Sequence, residues 1–224
     1  GLLYYLEKVI IFLVNSLKLP SILGELCSKN NIETLVHVSA LGVSEFSDSK
    51  YSRSKAIGDK RLLENFPKAK ILRPSLLFGK GDNFFGQFSK MSSISPALPL
   101  ISKNTRFQPI FVDDVVLAII KLISNKDIKG NIFEIGGKFA YTFEELLKIL
   151  LDIKNIKRLL IPLSPNLMIF PAFFLQLLPK PPFTVDQMKL LRKDNILNGK
   201  HPGLEALDIK ATSMKKELTK IYKN

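Results

Sequence analysis

The chain has 224 residues, 46% hydrophobic and 24% charged, with a formal net charge of +13. That balance excludes an intrinsically disordered chain, and the length suffices for one sizeable core or a core with a small lobe. The single cysteine, Cys27, excludes an intramolecular disulfide and a cysteine-based zinc site, and fits a reducing compartment.

Residues 2–19 are mostly apolar, with only Glu7, Lys8 and Lys18 charged, and read as a loop and an irregular helix leading to Pro20. Pro20 opens a helix to about residue 29, with Ile22, Leu23 and Leu26 on one face. Residues 34–39 are short and β-branched, as in a strand buried in a parallel sheet. The polar run 42–50 is a loop. A helix is predicted over 51–66, a strand over 70–73, a loop with Gly79 and Gly81 over 74–83, and a short helix over 84–91. A strand follows over 107–112. The helix over 113–124 begins with Asp113 and Asp114, which suit its N-terminus. The strand over 131–135 ends at Gly136 and Gly137. Thr142 caps a helix to about residue 151, with Glu145 completing a capping box. Strands alternating with helices of this length indicate βαβ units and a mainly parallel sheet.

Residues 159–178 carry no charge, which meets the length of a membrane span. Pro162, Pro165 and Pro171 argue against a continuous spanning helix. A buried lobe core or a surface that docks on a membrane or an apolar partner remain, the latter aided by Lys154, Lys157, Arg158 and Lys180. Helices over about 184–193 and 212–222 complete the chain. Residues 154–224 hold 13 basic and five acidic residues. The basic excess reads either as a genome composition bias or as attraction to an anionic surface, and its concentration in the last third favours the second. Nucleic acid is not the expected partner, because there is no zinc-finger spacing, RNP-like motif or arginine-rich run. No metal site is expected. No cleavable signal peptide is expected either, since the start lacks a basic n-region and a small-residue cleavage site.

The chemistry-bearing pattern is Ser39 at a strand's carboxyl end, then Tyr51 and Lys55 four residues apart on the next helix. Ligands bind at the carboxyl ends of strands in open α/β sheets. The i, i+4 spacing puts Lys55 on the face of Tyr51, where a cation lowers a phenol's pKa. Ser39 then orients a carbonyl oxygen, Tyr51 gives or takes a proton, and Lys55 tunes Tyr51 and binds a ribose hydroxyl. Pro74, Ser75 and Leu76 form a loop whose backbone donors suit a nicotinamide, or an ordinary strand exit. Arg106 suits a phosphate or carboxylate of a substrate, or a solvated salt bridge. His37 reads as core. The run 189–195 reads as a solvated helix end.

The segments HVSALGV, YSRSK, ILRPSLLFGKGDNFF, FQPIFVDDV, YTFEELL, VDQMKLLRKDN and PGLEALDIKAT together resemble the short-chain dehydrogenase-related accessory subunits of respiratory complex I, the alpha subcomplex subunit nine family, in bacterial form. The resemblance spans residues 20–216. It implies an α/β fold, a Rossmann-type doubly wound parallel sheet with a smaller, mostly helical C-terminal lobe. Residues 1–140 are then a partial NAD(P)-binding domain, and residues 141–224 the lobe with the apolar segment and basic tail. The resemblance further implies bound NADPH or NADH as a mainly structural element. Ser39, Tyr51, Lys55, Pro74, Ser75 and Leu76 would contact its nicotinamide and ribose. Partners would be peripheral-arm subunits of complex I, with a membrane surface nearby, at the cytoplasmic face of a bacterial inner membrane. The family's Gly-x-x-Gly-x-x-Gly turn, which binds pyrophosphate, does not occur in these 224 residues. The chain is therefore expected to be N-terminally truncated and to bind cofactor weakly or not at all. The alternative is an NAD(P)-dependent oxidoreductase or epimerase using Ser39, Tyr51 and Lys55 on a small or isoprenoid-like substrate.

Overall fold

Three short strands lie side by side: β1 (Val36–Val38), which is half-buried, and β2 (Lys70–Pro74) and β7 (Ile132–Ile135), which are mostly buried. They are parallel, in the order β1-β2-β7, with His37 opposite Ile71 and Arg73 opposite Glu134. The computed structural model describes residues 14–175 and 183–223. The expectation for residues before 14, and the part of the apolar stretch over 176–182, lie outside the described residues.

Helix α1 (Leu19–Lys29) packs on α2 (Lys50–Asn65). A tight approach fixes the start of this pair, since a Cβ on Gly58 would lie 2.2 Å from the Ser16 carbonyl oxygen. Leu62, Phe66, Ala69 and Ile71 close the core beneath α2. On a second cluster, α4 (Val112–Ser124) buries Val115, Ala118 and Leu122 against Leu72, Ile110 and Phe133. Its outer row, Val116, Leu117, Ile120 and Ile123, stays about half exposed.

The expected strand over 107–112 is two strands, β5 (Arg106–Phe107) and β6 (Ile110–Phe111). Pro109 has no N–H to continue a ladder, and the Gln108 N–H donates instead to the Asn195 carbonyl at 3.2 Å. β5 then pairs antiparallel with β8 (Tyr141–Thr142), and β6 pairs parallel with β3 (Leu77–Phe78). The capping box on α5 (Phe143–Ile153) is present, with Thr142 and Glu145 bonded reciprocally.

The uncharged stretch does not form one helix. It supplies β9 (Leu159–Leu163), in parallel register with β4 (Ala97–Ile101), then α6 (Pro165–Leu175) with Pro171 inside it. β4 was not expected. Pro99 and Pro162 sit within the pair, which a two-stranded sheet tolerates because each strand has an open edge. Ala172 of α6 is fully buried, whereas Leu167, Phe170, Phe173 and Phe174 are 55–77% exposed. No helix among the described residues is long and apolar enough to cross a membrane. The expected helix over 184–193 is shorter, α7 (Val185–Leu190), and α8 (Met214–Tyr222) ends the described chain. The largest core cluster draws on Phe78, Phe85, Phe88 of α3 (Phe85–Ile94) and Phe107, and also on Phe143, Leu147, Met188 and Leu218. It therefore joins elements on both sides of residue 140.

Candidate functional site

Ser39 follows β1 directly. Its N–H still bonds to the Leu72 carbonyl at 2.8 Å, so the chain leaves the strand along the sheet's carboxyl edge. The Ser39 hydroxyl is buried, 6% exposed as a residue, and makes no hydrogen bond among the described residues. A buried hydroxyl without a partner costs about 1–3 kcal/mol, a cost that a ligand oxygen placed there would remove.

Helix α2 starts at the N-cap Ser49, whose hydroxyl accepts from the Ser52 N–H at 3.2 Å. Tyr51, Lys55 and Asp59 follow at i, i+4 and i+8 on one face. The Lys55 ammonium donates to the Val38 carbonyl at 3.2 Å, tying α2 to the end of β1 beside Ser39. In this geometry the surroundings of Tyr51 act against the expected tuning by Lys55. Burial pushes the Tyr51 phenol up, and the negative charge of Asp59 adds to it. Burial lowers the Lys55 ammonium, opposed by Asp59. At neutral pH the phenol stands protonated and acts as a hydrogen-bond donor or a weak acid, not as a ready base.

Behind this face lies a buried ionic cluster. The Asp59 carboxylate accepts from Arg73 Nε at 3.0 Å and lies 2.9 Å from Nη2. Arg73 Nη1 lies 3.8 Å from Glu134 Oε1, its in-register neighbour on β7. The Asp59 side chain is 2% exposed, Glu134 7% and Arg73 13%. His37 Nε2 lies 3.6 Å from Asp59 Oδ1, beyond hydrogen-bond reach. His37 is therefore not merely core, as expected, but part of a polar cluster. An adjoining groove of about 510 Å³ is lined by Val43, Phe46, Leu63, Asp59 and Arg73, and not by Ser39, Tyr51 or Lys55.

Burial lowers the His37 imidazole, opposed by Asp59 and reinforced by Lys55. An unfolded His37 binds its proton first as pH falls, so its contribution to stability is present above the ordinary histidine value of about 6.5 and is lost on acidification below it. Urea midpoints measured at about pH 7 and pH 5 should show wild type losing more stability than His37→Gln. Equal losses in the two proteins would remove His37 as the cause.

Pro74, Ser75 and Leu76 have already spent much of their bonding capacity. The Ser75 N–H donates to the Ile135 carbonyl at 2.9 Å, and the Leu76 carbonyl accepts from Ile110. The Ser75 hydroxyl is 2.7 Å from Asn195 Oδ1 and 2.9 Å from its main-chain oxygen. The Ser75 backbone donor expected for a nicotinamide is thus engaged in the sheet. Arg106 meets Asp194, with Nη2 2.7 Å and Nε 2.8 Å from one carboxylate oxygen and its N–H donating to the other at 2.8 Å; that backbone bond first, and the guanidinium with it, hold the carboxyl below its ordinary range. Its side chain is 54% exposed, so the ion-pair reading holds for this geometry.

Two contributors were missed in the sequence. The Asp186 carboxylate, on α7, accepts from the Ser49 hydroxyl at 2.7 Å, the Lys50 N–H at 2.8 Å and the Tyr51 N–H at 3.0 Å. Asn195, expected in a solvated helix end, is a hub that also donates to the Leu41 carbonyl at 3.0 Å. Their segment was visible only as family-like sequence. Asp186 meets Tyr51 135 residues away, and Asn195 meets Ser75 and Leu41 120 and 154 residues away. Asp59 had a local signal, four residues beyond Lys55.

The residues fit one end of a nicotinamide dinucleotide. An orphaned hydroxyl and an ammonium lie at the end of β1 on the parallel sheet's carboxyl edge, with a protonated phenol one turn earlier on α2. Comparisons with known proteins agree with the topology. No protein-family model matches the chain. The mitochondrial NADH dehydrogenase (ubiquinone) 1 alpha subcomplex subunit 9 of Dictyostelium discoideum is 30% identical over 194 residues, covering 85% of this chain and 54% of the relative. The mouse protein of that name is 30% identical over 201 residues, covering 88% of this chain and 52% of the relative. The chain thus spans about half the length of these relatives. Among solved structures, an NAD-dependent NDP-hexosamine 5,6-dehydratase of tunicamycin biosynthesis superposes with a TM-score of 0.68 at 13% identity, covering 97% of this chain and 70% of that one. A Bacillus anthracis dTDP-4-dehydrorhamnose reductase, solved with NADP, gives a TM-score of 0.59 at 19% identity, covering 91% of this chain and 69% of that one. These likenesses show a Rossmann-type α/β fold.

Proposed function

We propose, because the chain is a homologue of the complex I alpha subcomplex subunit 9 proteins, that it is a nicotinamide-dinucleotide-holding accessory or assembly subunit of respiratory complex I, its cofactor mainly structural. The observation that carries this reading is the buried Ser39 hydroxyl, without a hydrogen-bond partner among the described residues, at the strand end to which the Lys55 ammonium is tied through the Val38 carbonyl. When bound, NADPH or NADH would supply a hydride. Ser39 would hold the carboxamide or carbonyl oxygen at the ring, Tyr51 would donate a hydrogen bond, and Lys55 would hold the ribose hydroxyls. Nothing in this set makes Tyr51 a ready base, which suits holding over turnover.

Magnetisation transfer from the protein to NADPH in solution tests it. Transfer should be strongest at the nicotinamide protons, and Lys55→Met should remove most of it. Transfer to adenine alone, or transfer unchanged by Lys55→Met, would reject the assignment.

The outer surface supports large partners. An apolar row is exposed on α4, and Leu167, Phe170, Phe173 and Phe174 are exposed on α6; clustered exposed apolar residues of this kind favour contact surfaces. Phe170 and Phe174 stack edge to face, with centroids 5.1 Å apart. Lys157 stands exposed between α5 and β9, whereas Lys154 and Arg158 are tied to the Ser89 and Ser92 carbonyls. We place α6 against a membrane or subunit surface at the cytoplasmic face of a bacterial inner membrane. A tagged chain should sediment with membranes and, after detergent extraction, co-purify with NADH dehydrogenase activity. A pool free of both would remove this reading.

The presence of Ser39, Tyr51 and Lys55 together favours a second reading, an NAD(P)-dependent oxidoreductase or epimerase. Substrate-dependent change in NADPH absorbance, abolished by Tyr51→Phe, would distinguish it from a holding role.

A further inference from the structure

We propose that Asp186 is a positioning residue for the Ser39, Tyr51 and Lys55 site, setting the first turn of α2 from the C-terminal third of the chain. The first turn of a helix has N–H groups with no partner inside the helix. In α2 the Ser49 hydroxyl satisfies Ser52. The Lys50 and Tyr51 N–H groups are left, and both go to the Asp186 carboxylate, one to each oxygen. The oxygen that takes Tyr51 also accepts the Ser49 hydroxyl. These are charge-assisted bonds, and an anion at a helix N-terminus is favourable in its own right. One of the three bonds is made by the main chain of Tyr51 itself.

Asp186 is held firmly enough to act in this way. It sits in the first turn of α7, whose capping box joins Thr184 and Gln187 reciprocally at 2.9 and 3.2 Å. Met188, two residues on, is fully buried in the main core cluster. Lys189 adds a second strap, donating to the Asp48 carbonyl at 3.2 Å. Farther along, Asn195 fastens the Leu41 and Ser75 loops, which flank Ser39 on its other side. Residues 184–195 thus bracket the site at the start of α2 and at the strand ends. A load on the C-terminal third reaches Tyr51 through Asp186.

The test uses the full chain without cofactor, labelled with ¹³C at the tyrosine ring carbon that bears the hydroxyl. Comparison with Tyr51→Phe identifies the Tyr51 signal. In Asp186→Ala the Tyr51 phenol should titrate nearer the ordinary tyrosine value, because a loosened first turn lets water reach a ring that burial now shields. The Lys50 and Tyr51 amides should exchange roughly tenfold faster or more. Asp186→Glu should restore much of both. A Tyr51 titration unmoved in Asp186→Ala, with only the melting temperature lowered, would reduce Asp186 to a structural strap and overturn the proposal. If Asp186→Ala does not fold, Asp186→Asn replaces it and the same two readings decide. The proposal takes its meaning from the nicotinamide-site reading. Its measurement needs no cofactor, so a wild type that fails to bind NADPH would reject that reading and leave the coupling between Asp186 and Tyr51 to be judged on its own.

Discussion

Arg73→Ala is expected to destabilise the protein by about 3–5 kcal/mol, the cost typical of leaving a buried charge without its partner. The reason lies in the count of charges. One guanidinium stands between two carboxylates, Asp59 on α2 and Glu134 on β7, all with side chains at most 13% exposed. Removing the cation leaves two buried anions, and Asp59 Oδ1 and Glu134 Oε2 already lack hydrogen-bond partners among the described residues. Arg73→Lys should rescue only part of the loss, because one ammonium cannot reproduce the two-nitrogen grip on Asp59. Urea unfolding at neutral pH measures both. A loss under about 1 kcal/mol for Arg73→Ala would mean that water reaches the cluster freely and that the pair behaves as a surface one. The consequence extends to the site, since Asp59 already raises the Tyr51 phenol. Freed of its cation, Asp59 should raise it further.

Phe143→Ala should cost a similar amount, about 3–5 kcal/mol, the range for deleting a buried aromatic ring. Phe143 is 2% exposed and opens α5 just after its cap. Its ring meets Phe84 at 5.4 Å, Phe88 at 5.6 Å and Phe107 at 6.2 Å, the first two edge to face. The favourable ring geometry adds to area burial. These neighbours come from α3 with its approach and from β5, so the cavity would open where the elements before and after residue 140 interlock. Denaturant midpoints for Phe143→Ala and Phe143→Leu give the comparison. Near equality of the two would show that the surrounding rings collapse into the space.

Particular residues show why some of this was legible in the sequence. Thr142 and Glu145 announced their helix because a capping box is local. Residues 34–39 and 131–135 read as strands from short β-branched runs and the glycines that end the second, although β1 is half-buried rather than buried. Ser39, Tyr51 and Lys55 stood out as candidates by their spacing and their place after a strand. Pairing over long separations was less visible. Ala97–Ile101 and Leu159–Leu163 each contain a proline and were not expected to pair, yet they lie in register along five residues. Pro109 divided one expected strand into two with different partners.

Local spacing and hydrophobic periodicity determined the order of elements and the α/β class, because each depends on neighbours within a few residues, and spacing marked Ser39, Tyr51 and Lys55 as candidates. The tertiary structure alone decided the charge state around that set. Whether Tyr51 is tuned by Lys55 or held protonated by burial and Asp59 depends on which groups desolvate it. Which carboxylate fixes its main chain depends on Asp186, 135 residues away. Electrostatics and burial are properties of what surrounds a side chain, and those surroundings exist only once the chain has folded.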